Sequence, residues 1–163
     1  MPRLPDDTQR LSIFGKTGGG KSQAGLWHLS LRRWDEMPWT LFDFKDDPTI
    51  AAVVPHKRIN LGYIPERPGI YRIVVNDAQT PENRERINEH LWNIHATGNH
   101  GIFVDEGLQV AGMPSIDAIN KQGRSKHIPV IFLYQRPVGQ RNVSVISEAE
   151  FMQIISTNLF IVR

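Results

Sequence analysis

At 163 residues, with 19 basic against 17 acidic side chains and a formal net charge of +2, the chain has the size of one domain with a single full core. The absence of cysteine excludes disulfides and cysteine-ligated zinc and agrees with a reducing cytoplasm. Apolar runs such as 130–134 fall far short of the roughly 20 residues of a membrane span, and the polar segment 1–10 lacks the apolar stretch of a signal peptide. The expectation is a soluble cytoplasmic domain over 1–163, whose six histidines and sequence pI near 9.1 leave room for a basic, nucleic-acid-facing side.

Residues 11–14 alternate apolar and polar and read as a short buried strand, and 22–37 shows helical spacing through Leu26, Leu29, Leu31 and Trp34. Between them Gly15, Lys16, Thr17, Gly18, Gly19, Gly20, Lys21 and Ser22 spell G-x-x-x-x-G-K-S, the phosphate-binding loop, with Gln23 next on the helix. Glycines let backbone N–H groups converge on an anion, Lys21 supplies a charge for the β and γ phosphates, and the Ser22 hydroxyl suits Mg²⁺. A strand before and a helix after the loop aim the helix N-terminus at the phosphates.

Residues 39–44 read as a second strand, and Asp46-Asp47-Pro48 as a turn opening a helix at 49–54. The proline- and glycine-rich stretch 55–69 reads mostly as loop, followed by a strand at 71–75. Thr80-Pro81 caps a helix to about His95 with Ile87, Leu91 and Ile94 inward. A strand at 101–106, a helix at 115–122, a strand at 128–134, a helix at 147–155 and a strand at 158–162 complete the series. Alternating helices and apolar strands predict an α/β fold with a mainly parallel sheet covered on both faces. The tryptophans Trp27, Trp34, Trp39 and Trp92 read as core or subunit-interface residues. His90 and His95, five apart, do not share the helical face a zinc pair needs, so no metal beyond Mg²⁺ is expected.

Ile102, Phe103 and Val104 precede Asp105 and Glu106, an apolar strand ending in two carboxylates. With the loop upstream, Asp105 suits the metal and Glu106 a general base that polarises the attacking water. Asn120-Lys121-Gln122-Gly123 imitates a guanine-recognition signature but has glycine where that signature needs a carboxylate, so ATP is the expected nucleotide. Asp43 and Lys45 read either as support for the site or as a surface ion pair.

The block 121–137, with Gln122-Gly123-Arg124 and Gln135-Arg136-Pro137, resembles the corresponding region of the HerA/FtsK superfamily of DNA pumps. Thr17-Gly18-Gly19-Gly20-Lys21-Ser22, Phe42-Asp43-Phe44-Lys45-Asp46, the Asp105-Glu106 pair and Asn158 before a last strand extend the resemblance over nearly the whole chain. It implies a RecA-like P-loop core with strand order 5-1-4-3-2 and a hexameric ring holding ATP between neighbours. Gln135 becomes the sensor, and an arginine supplied in trans, best matched by Arg124 with Arg136 and Arg141 as rivals, the finger. Because barrel and membrane domains of larger relatives are missing, the chain is most similar to the minimal genome-packaging ATPases of membrane-containing viruses.

The partners implied are duplex DNA, bound without sequence preference, and a capsid or portal component. The glycine-bearing segment 107–114 is a candidate moving loop. The basic groups Lys121, Arg124 and Lys126, Arg32 and Arg33, and Lys57 and Arg58 are candidate phosphate contacts. Competing readings are a DNA-transfer ATPase, a nucleotide-operated assembly scaffold and a small-molecule kinase. A kinase needs an arginine-rich lid over the acceptor and usually lacks an Asp-Glu pair followed by a distant sensor glutamine, and Glu106 with Gln135 argues against a mere switch.

Overall fold

The computed structural model describes residues 4–52, 55–135 and 149–155. Among them β1 Leu11–Gly15, β2 Pro38–Asp43, β3 His56–Arg58, β4 Gly69–Val74, β5 Gly101–Val104, β6 Val130–Tyr134 and β7 Phe151–Ile155 form one sheet in the order β3-β4-β2-β5-β6-β1-β7. Every neighbouring pair is parallel. The order departs from the expected 5-1-4-3-2, because β4 and β3 add strands beyond β2, while the expected parallel α/β class holds.

Helices α1 Lys21–Ser30, α2 Pro48–Ala51, α3 Pro81–Thr97 and α4 Pro114–Gln122 occupy the connections. Right-handed crossovers decide their faces: the step from β1 to β2 runs toward the β3 edge, and the steps into β5 and β6 run the other way. Leu29 of α1 and Ile50 of α2 therefore pack with Ile13, Leu41, Phe103 and Leu133 on one face. Ile87, Leu91 and Ile94 of α3 and Ile116 and Ile119 of α4 pack with Phe42, Ile102, Val104 and Phe132 on the other. Period-two alternation within β5 and β6 supplies both layers, so these central strands are apolar throughout.

The expected starts of α2 and α3 are confirmed by their caps. Asp47 accepts the Thr49 N–H at 2.8 Å and the Thr80 hydroxyl accepts the Asn83 N–H at 3.3 Å, each before a proline in the first turn. Three expectations need correction. Helix α1 stops at Ser30 rather than Met37, because the Arg33 N–H is taken by the Asp7 carboxylate and Leu31 faces solvent. The stretch read as loop at 55–69 contains the short polar edge strand β3.

The helix expected at 147–155 is instead β7 over its described part. The helix formers Ala149 and Glu150 precede it, while Phe151, Ile154 and Ile155 favour a strand and pair with β1, leaving Met152 and Ile154 outward and Phe151 and Ile155 inward. The strand expected at 158–162 lies outside the described residues. Of the tryptophans, Trp39 is fully buried and Trp34 packs on the core, whereas Trp27 and Trp92 are exposed.

Two histidines are buried without charge. His90 Nδ1 accepts the Gly62 N–H at 3.0 Å, which fixes the neutral ring, and His100 Nε2 meets the Thr40 hydroxyl at 2.8 Å. Burial lowers His90 from 6.5 to about 4; burial, with His90 nearby, lowers His100 to about 3. Below 6.5 the unfolded chain binds more protons at both rings, so their contribution is complete above that pH and is lost as pH falls toward 4. Stability should drop by about 3 kcal/mol between pH 7 and pH 5. Urea unfolding at both pH values checks this, and His90→Leu should remove about half of the dependence.

Candidate nucleotide site

The phosphate loop leaves β1 at the carboxyl rim of the sheet and enters α1 through Gly20, whose φ of 84° is left-handed and costs glycine little. As N-cap, Gly20 offers no side chain to the first-turn N–H groups of α1, which leaves them for an anion. The Lys21 ammonium donates to the Lys16 carbonyl at 2.8 Å, and the Gly19 N–H donates to the same carbonyl at 3.1 Å, so the loop closes on itself. Gly25 lets α1 lie close on β5 and β6: a Cβ there would come within 2.8 Å of Leu133 and 3.0 Å of Phe103.

This seating brings Ser22 over the end of β5, where its hydroxyl donates to Asp105 at 3.1 Å. Thr17, Gly18, Gly20, Lys21, Ser22 and Gln23 line one side of a cleft of about 350 Å³. Asp105, Glu106 and Gln135 line its floor and Lys45, Asp47 and Thr49 its far side. Expected site residues from β1, β5 and β6 thus converge, with Gly15 at the end of β1 and the Lys16 carbonyl beneath Lys21.

Burial pushes the Asp105 carboxyl up to about 6, against the Ser22 hydrogen bond, with Asp43 adding to the rise. Burial also lowers Lys21, while Glu106 and Asp105 act in the opposite sense. A buried carboxylate held against a hydroxyl beside an anion-binding loop is a donor set suited to Mg²⁺, and Ser22 and Asp105 would hold it. Among the described residues no cluster of three or more histidine, aspartate or glutamate side chains forms another metal site.

At the end of β2 the reading of Asp43 and Lys45 as a surface ion pair needs correction, since their side chains do not pair with each other, whereas their reading as support for the site agrees with Lys45 lining the cleft. Asp43 is fully buried and receives the Lys45 N–H at 3.1 Å, the Asp47 N–H at 3.0 Å and the Arg72 guanidinium at 2.6 Å. Arg72 also reaches Asp46 at 2.6 Å, which stabilises that residue at a φ of 51°. Lys45 instead pairs with Glu106 across the cleft. Sequence reasoning missed Arg72; its signal was a guanidinium inside the apolar strand read at 71–75, which demands a buried partner.

Arg124 stands apart. Its side chain is 72% exposed and lies 3.6 Å from Glu150, just before β7, at the end of the sheet opposite the cleft. It therefore does not reach the site of its own subunit. Segment 107–114 is no free loop either: Gly107–Gln109 forms a 3₁₀ turn, Val110 and Met113 are buried, and Arg84 binds the Gln109 and Ala111 carbonyls. Arg136 and Arg141 lie outside the described residues.

A glycine loop entered from a central parallel strand and left through a helix places the chain among the P-loop nucleoside triphosphatases. Over 153 residues, 93% of its length, it is 38% identical to the DNA packaging ATPase P9 of Enterobacteria phage PRD1. The chain belongs to the family of that viral packaging ATPase, in agreement with the resemblance seen in its motifs, and spans 66% of that relative's length. No family model matches it.

Among solved structures, the fold is similar to the genome packaging NTPase B204 of Sulfolobus turreted icosahedral virus 2. For its sulfate complex the TM-score is 0.67 at 15% identity, covering 96% of this chain and 77% of that one. For its ATP-gammaS complex the TM-score is 0.67 at 14% identity, covering 94% and 78%. These likenesses establish the fold.

The Asp43–Arg72 pair yields a stability prediction. Arg72→Met strands a buried carboxylate and should cost about 3–5 kcal/mol, measured by urea unfolding at neutral pH. A loss within 1 kcal/mol would show that water or a rearranged loop compensates Asp43.

Proposed function

We propose that the chain is an ATP-hydrolysing motor that drives duplex DNA into a viral capsid, acting in host cytoplasm or on the virion as a ring of six subunits. The observation that carries this reading is the convergence of Lys21, Ser22, Asp105, Glu106 and Gln135 on one cleft, in a relative of a DNA packaging ATPase. Among the described residues no helix is long and apolar enough to cross a membrane.

In this reading the phosphates lie against the loop N–H groups and Lys21, at the start of α1. Mg²⁺, when bound by Ser22 and Asp105, supplies charge neutralisation to the phosphate oxygens. Glu106 takes the proton of the attacking water and Gln135 orients that water. Arg124 faces away from its own cleft, so its part as finger requires a neighbouring subunit. DNA contact is through phosphates, because translocation ignores sequence.

ATP turnover measured with and without duplex DNA across protein concentration tests the motor. Turnover should rise with both, and Glu106→Gln should lower it by about 10²-fold or more while leaving ATP binding intact. Rates indifferent to DNA and to concentration would sink the ring-motor reading. For the finger, mixtures of inactive Arg124→Ala and Lys21→Ala subunits should regain activity at interfaces that pair two intact halves. Absence of rescue at every ratio would remove Arg124 from that role.

A further inference from the structure

We propose that Lys45 is a triphosphate-sensing residue: it holds Glu106 while the site is empty and passes to the terminal phosphate when ATP enters, freeing the carboxylate. The inference rests on the nucleotide-site reading above and adds a control element to it.

Lys45 and Glu106 reach each other from different strands and both line the cleft. Their surroundings are unequal, since the Glu106 side chain is 8% exposed and that of Lys45 is 51% exposed. The carboxylate is therefore the fixed partner and the ammonium the one free to swing, on a flexible four-carbon stem. The root of that stem is rigid. Asp43 binds the Lys45 and Asp47 N–H groups and is itself locked by Arg72, so the chain holds the lysine's backbone still.

Paired in this way, Glu106 cannot serve as an efficient base. The ammonium occupies its Oε2, so the atom pair through which it would accept from water is partly taken. The ion pair also raises Lys45, chiefly through its hydrogen bond to Glu106, keeping it charged. The cleft sets Lys21 and Lys45 against Asp47, Asp105 and Glu106. A terminal phosphate places more negative charge before Lys45 than one carboxylate does, whereas a diphosphate lacks that group. ATP thus displaces Lys45 from the base, and ADP leaves the pair closed.

The test measures dissociation constants of the full chain for Mg²⁺ with a β,γ-imido ATP analogue and for Mg²⁺ with ADP, which requires no turnover. Lys45→Met should lower the preference for triphosphate over diphosphate by about 5–10-fold, with ADP affinity held within about twofold. Lys45→Arg should restore most of the preference. An unchanged ratio in Lys45→Met, or equal weakening of both nucleotides, overturns the sensor role. Faster ATP turnover with an unchanged ratio overturns it too, since Lys45 would then only restrain Glu106. If the unaltered chain binds neither nucleotide, the nucleotide-site reading itself fails, and the assignment with it. Circular dichroism and the thermal midpoint confirm that each variant is folded.

Discussion

All seven strands among the described residues point the same way, and that single direction makes a site possible. Parallel neighbours cannot be joined by tight hairpins, so longer connections, four of them helical among the described residues, carry the chain back and the strands end on the same rim. The loop after β1, the carboxylates after β5 and the glutamine after β6 meet there although about 30 residues or more separate them in sequence. Burial of Ile102 to Val104 and Val130 to Tyr134 on both faces fixes these strand ends, so polar groups at the rim inherit the rigidity of an apolar core.

What was legible followed from chemistry that is local in sequence. The loop, its flanking strand and helix, the Asp105–Glu106 pair and the caps at Asp47 and Thr80 each sit within a few residues of their own signals. What was not legible depends on partners distant in the chain. Phe151 to Ile155 follows the helix formers Ala149 and Glu150 in sequence, and pairing with the edge of β1, with Gln153 meeting His28 at 2.8 Å, sets it as a strand. Likewise β3 has no apolar alternation, because at an edge the ladder to β4 suffices for three residues. Asp43 and Lys45 could be named but not paired, since their partners Arg72 and Glu106 arrive from β4 and beyond β5.

The two carboxylates below the cleft differ in their surroundings. Asp105 faces the Ser22 hydroxyl under burial strong enough to raise its pKa, an arrangement suited to a divalent cation. Glu106 is equally buried but faces an ammonium. Adjacent residues alternate sides at a strand end, so one carboxylate is directed to the loop of β1 and the other to the loop of β2. The same two-residue pattern thereby sets one carboxylate against a hydroxyl and the other against an ammonium without a second motif.

The buried Asp43–Arg72 pair then has a role that stability alone does not explain. Replacing such a pair by apolar groups is often neutral or stabilising, so stability alone is a weak account of it. Here its role is placement: two backbone N–H groups bound to Asp43 set where the chain turns after β2, and the turn sets where Lys45 starts. A rigid root with a free cation is what a residue needs if it must serve Glu106 in one state and a phosphate in another. The difference between those states is the terminal phosphate itself, so the chemistry that consumes it also returns the lysine to the base.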